Sequence, residues 1–263
     1  HALHYASAVF EGERAYGGRI FRSLDHSKRL HNSARIMGFE IPFTVEQLEE
    51  AKREALAKSG LESAYIRAIA WRGSEMMGVS AQNNTIHLAV AVWSWGDYFA
   101  DKMKGIRMTH AEWRRPAPDT APCHAKAAGL YMICTLSKHA AEKAGYADAL
   151  MLDYRGQVAE ATGANIFFVR DNALHTPTPD CFLNGLTRQT AIKLAKARQI
   201  EVIERAIMPD ELATFSECFI TGSAAEITPV AEIGAHIYKP AEISHSLVDD
   251  YTKLVNGKMD LAL

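Results

Sequence analysis

Hydrophobic and polar residues alternate through Ala64-Tyr-Ile-Arg-Ala-Ile-Ala-Trp-Arg72, a period of two that predicts a β-strand. Successive strand side chains point to opposite faces, so Tyr65, Arg67, Ile69 and Trp71 share one face and Ala64, Ile66, Ala68 and Ala70 the other. An arginine among aromatics reads either as a solvated face with covered stems or as a functional one. Strand-like runs also occupy 18–21 and 85–94, and the apolar His87-Leu-Ala-Val-Ala-Val-Trp93 within the latter reads as a buried strand. Helical spacing takes over at 25–37, where Asp25 is placed to cap. It returns after Thr44, which forms a capping-box pattern with Gln47 ahead of a helix ending at Gly60.

Between 95 and 118 no clean period holds and Pro116 and Pro118 intervene, which predicts an interdomain connection with a loop. Beyond it the pattern predicts a helix over 127–145, strands over 147–153, 157–161 and 164–169, helices over 187–198 and 209–215, and a strand over 217–220. Helices and strands are interspersed, so the expected fold class is mixed α and β (α+β) in two domains. A small N-terminal α/β domain over 1–95 is joined by a loop over 96–107 to a larger domain over 108–263.

The 263 residues, 48% hydrophobic, suffice for a sizeable core. Formal charge is -2 with both signs mixed along the chain, which leaves no electrostatic footprint for nucleic acid or an anionic membrane and makes small molecules the expected partners. The apolar runs fall well short of the roughly 18 residues of a spanning helix. Cys123, Cys134, Cys181 and Cys218 are far apart and form no Cys-x-x-Cys pair, so reduced thiols, no metal site and a cytoplasmic setting are expected. The chain begins at His1 without a methionine and enters directly into an apolar segment, so its native N-terminus and any signal there are expected to be missing.

Lys126 lies among small residues in Pro122-Cys-His-Ala-Lys-Ala-Ala-Gly-Leu-Tyr131, which leaves its amine open to act as a nucleophile on a carbonyl cofactor. A solvated surface lysine is the ordinary alternative. Pyridoxal phosphate chemistry needs such a lysine, an acid at the pyridine nitrogen and donors for a phosphate dianion. Glu160, in Gln-Val-Ala-Glu-Ala-Thr-Gly-Ala-Asn, is the candidate acid; a water-facing strand residue is its alternative. Leu186 and Thr187 open a helix after Leu183-Asn-Gly, where unpaired amides favour an anion, although Thr187 could simply cap. Gly222 and Ser223 form a second cluster of small residues whose amides could approach an anion, and Arg22 is a candidate cationic donor.

Seven motifs in one order resemble the fold-type IV pyridoxal phosphate aminotransferases, and within them the branched-chain amino acid aminotransferases of bacterial type. They are His4-Tyr-Ala-Ser-Ala-Val-Phe-Glu-Gly12, Phe21-Arg22, Tyr65-Ile-Arg67, Ala125-Lys-Ala-Ala-Gly129, Glu160-Ala-Thr-Gly-Ala-Asn165, Gly185-Leu-Thr-Arg188 and Gly222-Ser-Ala-Ala-Glu-Ile-Thr-Pro229. The resemblance implies the two-domain D-amino acid aminotransferase-like fold and pyridoxal 5'-phosphate as cofactor. By that resemblance Lys126 is the Schiff-base lysine and proton carrier, Glu160 faces the pyridine nitrogen and Tyr131 lies near the phenolic oxygen. Arg22, Leu186, Thr187 and Ser223 hold the phosphate. Amides around Ser223 and Ala224, with Tyr65 nearby, meet the substrate carboxylate; Arg67 receives the side-chain carboxylate of glutamate; and Tyr5, Phe10, Trp95 and Tyr98 line the pocket.

The implied reaction is reversible ping-pong transfer of the amino group from L-leucine, L-isoleucine or L-valine to 2-oxoglutarate, by a homodimer or higher homo-oligomer whose partner subunit brings Tyr5 to the pocket. Relatives carry threonine where Ser223 stands, and many carry a polar residue before the position of Tyr131, where this chain has Leu130. Neither difference removes a catalytic group. The same scaffold also serves D-amino acid and amine transaminases and aminodeoxychorismate lyase-like enzymes, and a noncatalytic cofactor-binding protein is the remote alternative.

Overall fold

A computed structural model describes the chain apart from Asp97, Tyr98, Ala100 and Asp101. It divides into two compact units, His1–Gly96 with Asp119–Met132, and Asp97–Pro118 with Ile133–Leu263. This departs from a single break near 96–107, because Asp119–Met132, which carries Lys126, packs with the N-terminal segment. Backbone pairing explains the grouping: Val9 bridges Ala127, and the Phe10 N–H donates to the Lys126 carbonyl at 3.1 Å.

In the first unit α1 (Ala2–Tyr5) precedes β1 (Ala8–Phe10), β2 (Glu13–Tyr16), β3 (Arg19–Ile20), α2 (Ser23–Ile36), α3 (Val45–Ser59), β4 (Ala64–Arg72) and β5 (Ile86–Ser94). The strands form one antiparallel sheet in which β4 pairs with β5 along one edge, while β1 and β2 share the other. The alternation in β4 is used as predicted: Ala64, Ile66, Ala68 and Ala70 face a core with Leu30 and Ala34 of α2 and Leu48 and Leu56 of α3. Each buried leucine there contributes about 1.5–3 kcal/mol. The capping box forms, with the Gln47 N–H donating to Thr44 Oγ1 and the Thr44 N–H to Gln47 Oε1, and Gly60 ends α3 in the left-handed conformation.

Two local expectations are corrected in this unit. Helix α2 begins at Ser23 and is capped by Arg22 in the left-handed conformation, not by Asp25; Asp25 sits in the first turn and accepts from Arg22 Nε at 2.7 Å. Strand β5 is not buried. Among the described residues it pairs only with β4, so Ile86, Leu88, Val90 and Val92 are partly covered while His87, Ala89, Ala91 and Trp93 are exposed.

The second unit holds β6 (Ile106–His110), most of α4 (Met132–Lys143), β7 (Asp148–Leu152), β8 (Val158–Ala161), β9 (Asn165–Arg170), β10 (Ala173–Pro177), α5 (Leu186–Ala197), β11 (Val202–Arg205), β12 (Glu217–Gly222), β13 (Glu226–Ile233), β14 (His236–Ile237) and α6 (Glu242–Val255). Six strands, β9-β12-β13-β6-β7-β8, close on themselves through the pair Glu160 with Asn165. Met108, Leu150, Ile166, Phe168, Ile220 and Val230 fill the main core of this barrel. Closure removes sheet edges and gives fixed positions for strand ends. The helix expected over 127–145 is a 3-10 turn, Ala128–Tyr131, followed by α4, and the segment expected as a helix over 209–215 is a 3-10 helix, Pro209–Thr214. Among the described residues no helix is long and apolar enough to cross a membrane.

Candidate active site

Lys126 lies just before the 3-10 turn, in backbone that is not part of a regular strand or helix. Its N–H donates to Ser33 Oγ on α2 at 3.0 Å, and its carbonyl accepts from Phe10. From this anchored backbone the Nζ reaches Tyr131 Oη at 2.7 Å. The same amine lies 5.0 Å from the centroids of the Phe10 and Tyr131 rings, which themselves meet edge-on at 4.8 Å. The Arg67 guanidinium also stands 4.6 Å from the Phe10 ring centroid and donates to Tyr65 Oη at 3.1 Å. Phe10 therefore has a cation close to its ring at two places, an arrangement favourable to the ring quadrupole.

The second face of β4 is a built surface. Tyr65 is only 6% exposed, with its ring 5.1 Å from Trp93 and 4.6 Å from Trp95. Gly12 is required beneath it, because a Cβ at that position would come 1.9 Å from Tyr65 Oη. Tyr5, by contrast, is 46% exposed on α1 and stacks on His1 at 4.7 Å. Tyr98 lies outside the described residues.

Glu11 lies between β1 and β2, fully buried, and accepts from His26 Nδ1 at 2.7 Å and from Arg29 Nε and Nη2 at 2.7 and 2.8 Å. Burial alone would raise its proton affinity, but the charges and hydrogen bonds of Arg29 and His26 outweigh that and hold the carboxyl well below the usual carboxylate range. Burial pushes the His26 imidazole down, against the opposing charge and hydrogen bond of Glu11. Arg29 is held above its ordinary value: burial opposes this, Glu11 outweighs it, and the Tyr131 phenol adds to it. Of the two arginines at this end of α2, Arg29 is thus within electrostatic reach of Tyr131, whereas Arg22 is ion-paired with Asp25. Nothing in the local sequence distinguished Arg29, one of several charges on an apparent surface helix.

In the second unit Glu160 lies on β8, with Arg115 Nε 3.4 Å from Oε1 and Asn165 Nδ2 donating to Oε2 at 3.1 Å. Asn165 also accepts from the Gly185 N–H at 3.1 Å and donates to the Leu183 carbonyl at 3.0 Å. One amide side chain therefore ties the carboxylate to the start of α5. Gly185 is the N-cap of that helix and offers no side-chain cap; a Cβ there would meet Asn165 Oδ1 at 2.3 Å. Leu186 and Thr187 follow in a first turn that contains no acidic residue, which suits an anion at the positive end of the helix dipole.

Ser223 and Ala224 form the turn between β12 and β13. Gly222 lets this turn approach the chain, since its Cβ would lie 3.3 Å from the Gly163 carbonyl. Glu226 closes the turn with a left-handed φ of 56° and is held by Lys102 Nζ at 2.6 Å, while Thr228 Oγ1 donates to the Ala225 carbonyl. The only acidic cluster with metal-ligand spacing found among the described residues, Asp153, Asp180 and Cys181, has its two carboxylates bound by Arg155.

The amino-transferase class IV family model matches residues 8–233, and the chain belongs to that family. The particular relatives are consistent in name. The chain is 39% identical over 262 residues to the probable branched-chain-amino-acid aminotransferase of Rickettsia bellii, covering 98% of this chain and 90% of that one. It is likewise 39% identical over 271 residues to the branched-chain-amino-acid aminotransferase of Pseudomonas aeruginosa, covering 99% and 88%. Among solved structures, the branched-chain aminotransferase of Thermoproteus uzoniensis with norvaline superposes with a TM-score of 0.94 at 35% identity, covering 98% and 88%. The branched-chain amino acid aminotransferase of Escherichia coli does so with a TM-score of 0.94 at 35% identity, covering 98% and 89%. This likeness bears out the expected fold-type IV architecture.

Proposed function

We propose that this protein is a branched-chain amino acid aminotransferase that transfers the amino group of L-leucine, L-isoleucine or L-valine to 2-oxoglutarate, with pyridoxal 5'-phosphate as its cofactor. The observation that carries this reading is the Lys126 amine, fixed 2.7 Å from Tyr131 beside an aromatic surface, in a chain so similar to enzymes of that name. The residues fit the cofactor: a lysine among small neighbours, a carboxylate steadied by Arg115 and Asn165, and a glycine-capped helix start. In the first unit the buried Arg67 Nε has no hydrogen-bond partner among the described residues, which fits a surface that receives a charged group.

When bound, pyridoxal phosphate supplies an aldehyde for an amine and a ring that takes up the electrons left at the substrate's α-carbon. Lys126 would hold the cofactor, and its Nζ would carry the proton between the substrate's α-carbon and the cofactor carbon. Glu160 would lie at the pyridine nitrogen and favour its protonated form. Amides of Leu186, Thr187 and Ser223 take the phosphate. The resemblance assigns Arg22 to the accompanying cation, and Arg29, buried against Glu11 beside Phe10, is a second candidate for that role. Phe10, Tyr65 and Trp95, together with Tyr5 of the partner subunit, surround a branched aliphatic side chain and exclude water. Arg67 takes the side-chain carboxylate of glutamate, and the amides at Ser223 and Ala224 with Tyr65 take the α-carboxylate. The enzyme works in the cytoplasm as a homodimer or higher homo-oligomer.

A donor panel tests this reading. L-leucine, L-isoleucine and L-valine with 2-oxoglutarate are expected to turn over, while D-alanine and an aromatic amine with pyruvate are not. Preference for D-alanine or the amine would move the protein to another activity of the same fold.

A further inference from the structure

Helix α2 presents a polar stripe that is buried rather than solvated. His26 is 3% exposed, the Arg29 side chain 16% and Ser33 0%. Their spacing of three and then four residues places them on one face of the helix. His26 and Arg29 are both spent on Glu11, next to Phe10. Ser33 is spent on the Lys126 N–H.

We propose that Ser33 is a positioning residue for Lys126, fixing the peptide plane from which the amine is aimed. The proposal rests on the reading of Lys126 as the lysine that carries the cofactor. Lys126 lies in irregular backbone, so no helix or strand ladder holds its N–H. Its carbonyl is fixed by Phe10 and the next residue by Val9; on its amide side the Ala125 N–H donates to the Pro122 carbonyl, and the Ser33 bond holds the Lys126 N–H itself. Loss of the Ser33 hydroxyl leaves the N–H without that acceptor and loosens the Ala125–Lys126 peptide plane, while the following plane stays anchored through the Lys126 carbonyl. The Nζ at the far end of a long side chain then drifts from Tyr131 Oη, and a misplacement of about 1 Å at a reacting group costs on the order of a hundredfold in rate.

Ser33→Ala, Ser33→Cys and Ser33→Thr separate aiming from packing. In the cofactor-free protein, Ser33→Ala is expected to speed hydrogen exchange in the peptide spanning 122–130 by at least about fivefold. In the holoenzyme it is expected to shift the pH midpoint of the cofactor's visible absorption band. It should also lower kcat roughly 10- to 100-fold with little change in KM for L-leucine. Ser33→Thr, which keeps the oxygen, restores these values, and Ser33→Cys, close to isosteric with a weak acceptor, falls between them and serves if the alanine variant does not fold. A lowered melting temperature with exchange, band midpoint and kcat unchanged overturns the proposal, as does a threonine variant that behaves like alanine. Borohydride reduction of the wild-type holoenzyme and peptide mapping tests the underlying reading separately. Label on Lys126 supports it; label on another lysine removes both that reading and the role of Ser33.

Discussion

Lys126 and Ser223 are held in place by different kinds of structure. Around Lys126 the backbone is irregular, and its position depends in part on a side-chain hydroxyl from α2 and on the strand end beside the buried Glu11, His26 and Arg29 cluster. Around Ser223 the constraint is mainly backbone: a hairpin turn on a closed barrel, with glycines where the chain must come close. The start of α5 combines the two: Gly185 permits the close approach, and the Asn165 side chain holds the Gly185 N–H and the Leu183 carbonyl. A reacting group fixed by side chains is vulnerable to polar substitutions far away in sequence. A cradle fixed by backbone is vulnerable where a Cβ is added.

Four substitutions or titrations probe this contrast in descending order of effect. On the proposed role of Lys126, Lys126→Ala removes both cofactor attachment and proton transfer, and turnover is expected to fall by on the order of 10³-fold or more in steady-state assays. Gly185→Ala places a Cβ against Asn165, which also holds Glu160, so cofactor affinity measured by reconstitution is expected to drop about tenfold or more. Gly12→Ala displaces Tyr65, and the expected result is a several-fold rise in KM for L-leucine with a smaller change in cofactor affinity. If Gly12→Ala instead weakened the cofactor as much as Gly185→Ala does, the two regions would not be separable in this way.

The smallest effect is on the pH dependence of stability, and its sign differs between two neighbouring carboxylates. Glu11 is depressed, so its contribution is present above its unfolded value of 4.5 and is lost as pH falls below it. Glu13, buried against Lys52, is raised by burial to about 8, so its contribution is full below 4.5 and is lost as pH rises through about 8. Thermal melts from pH 4 to 9 should therefore decline at both ends. Glu11→Gln should flatten the acid limb and Glu13→Gln the alkaline one.

Much of this fold was legible where one face of an element is buried and the other is not. Strand β4 and the Thr44 and Gln47 capping box follow directly from spacing. Apolar content misled at β5, because an edge strand can be apolar without being covered. Helix α6 was missed although Leu247, Tyr251, Leu254 and Val255 repeat at helical intervals on its buried side. In the candidate site, Lys126 and Glu160 stood out because small or polar neighbours mark them locally. Their supports did not. Ser33 and Arg29 look like the solvated side of a polar helix, and Arg115 sits in a segment read as a connection; only tertiary packing brings each to its partner.

If Lys126 carries pyridoxal phosphate for transfer between branched-chain amino acids and 2-oxoglutarate, the two half-reactions are visible separately in the cofactor's absorption spectrum. Holoenzyme mixed with L-leucine alone should lose the band of the lysine-bound cofactor and regain it on addition of 2-oxoglutarate, while Lys126→Ala should show neither change. A wild-type spectrum indifferent to L-leucine would remove the branched-chain donor, and a Lys126→Ala protein that cycles normally would remove Lys126 from this role.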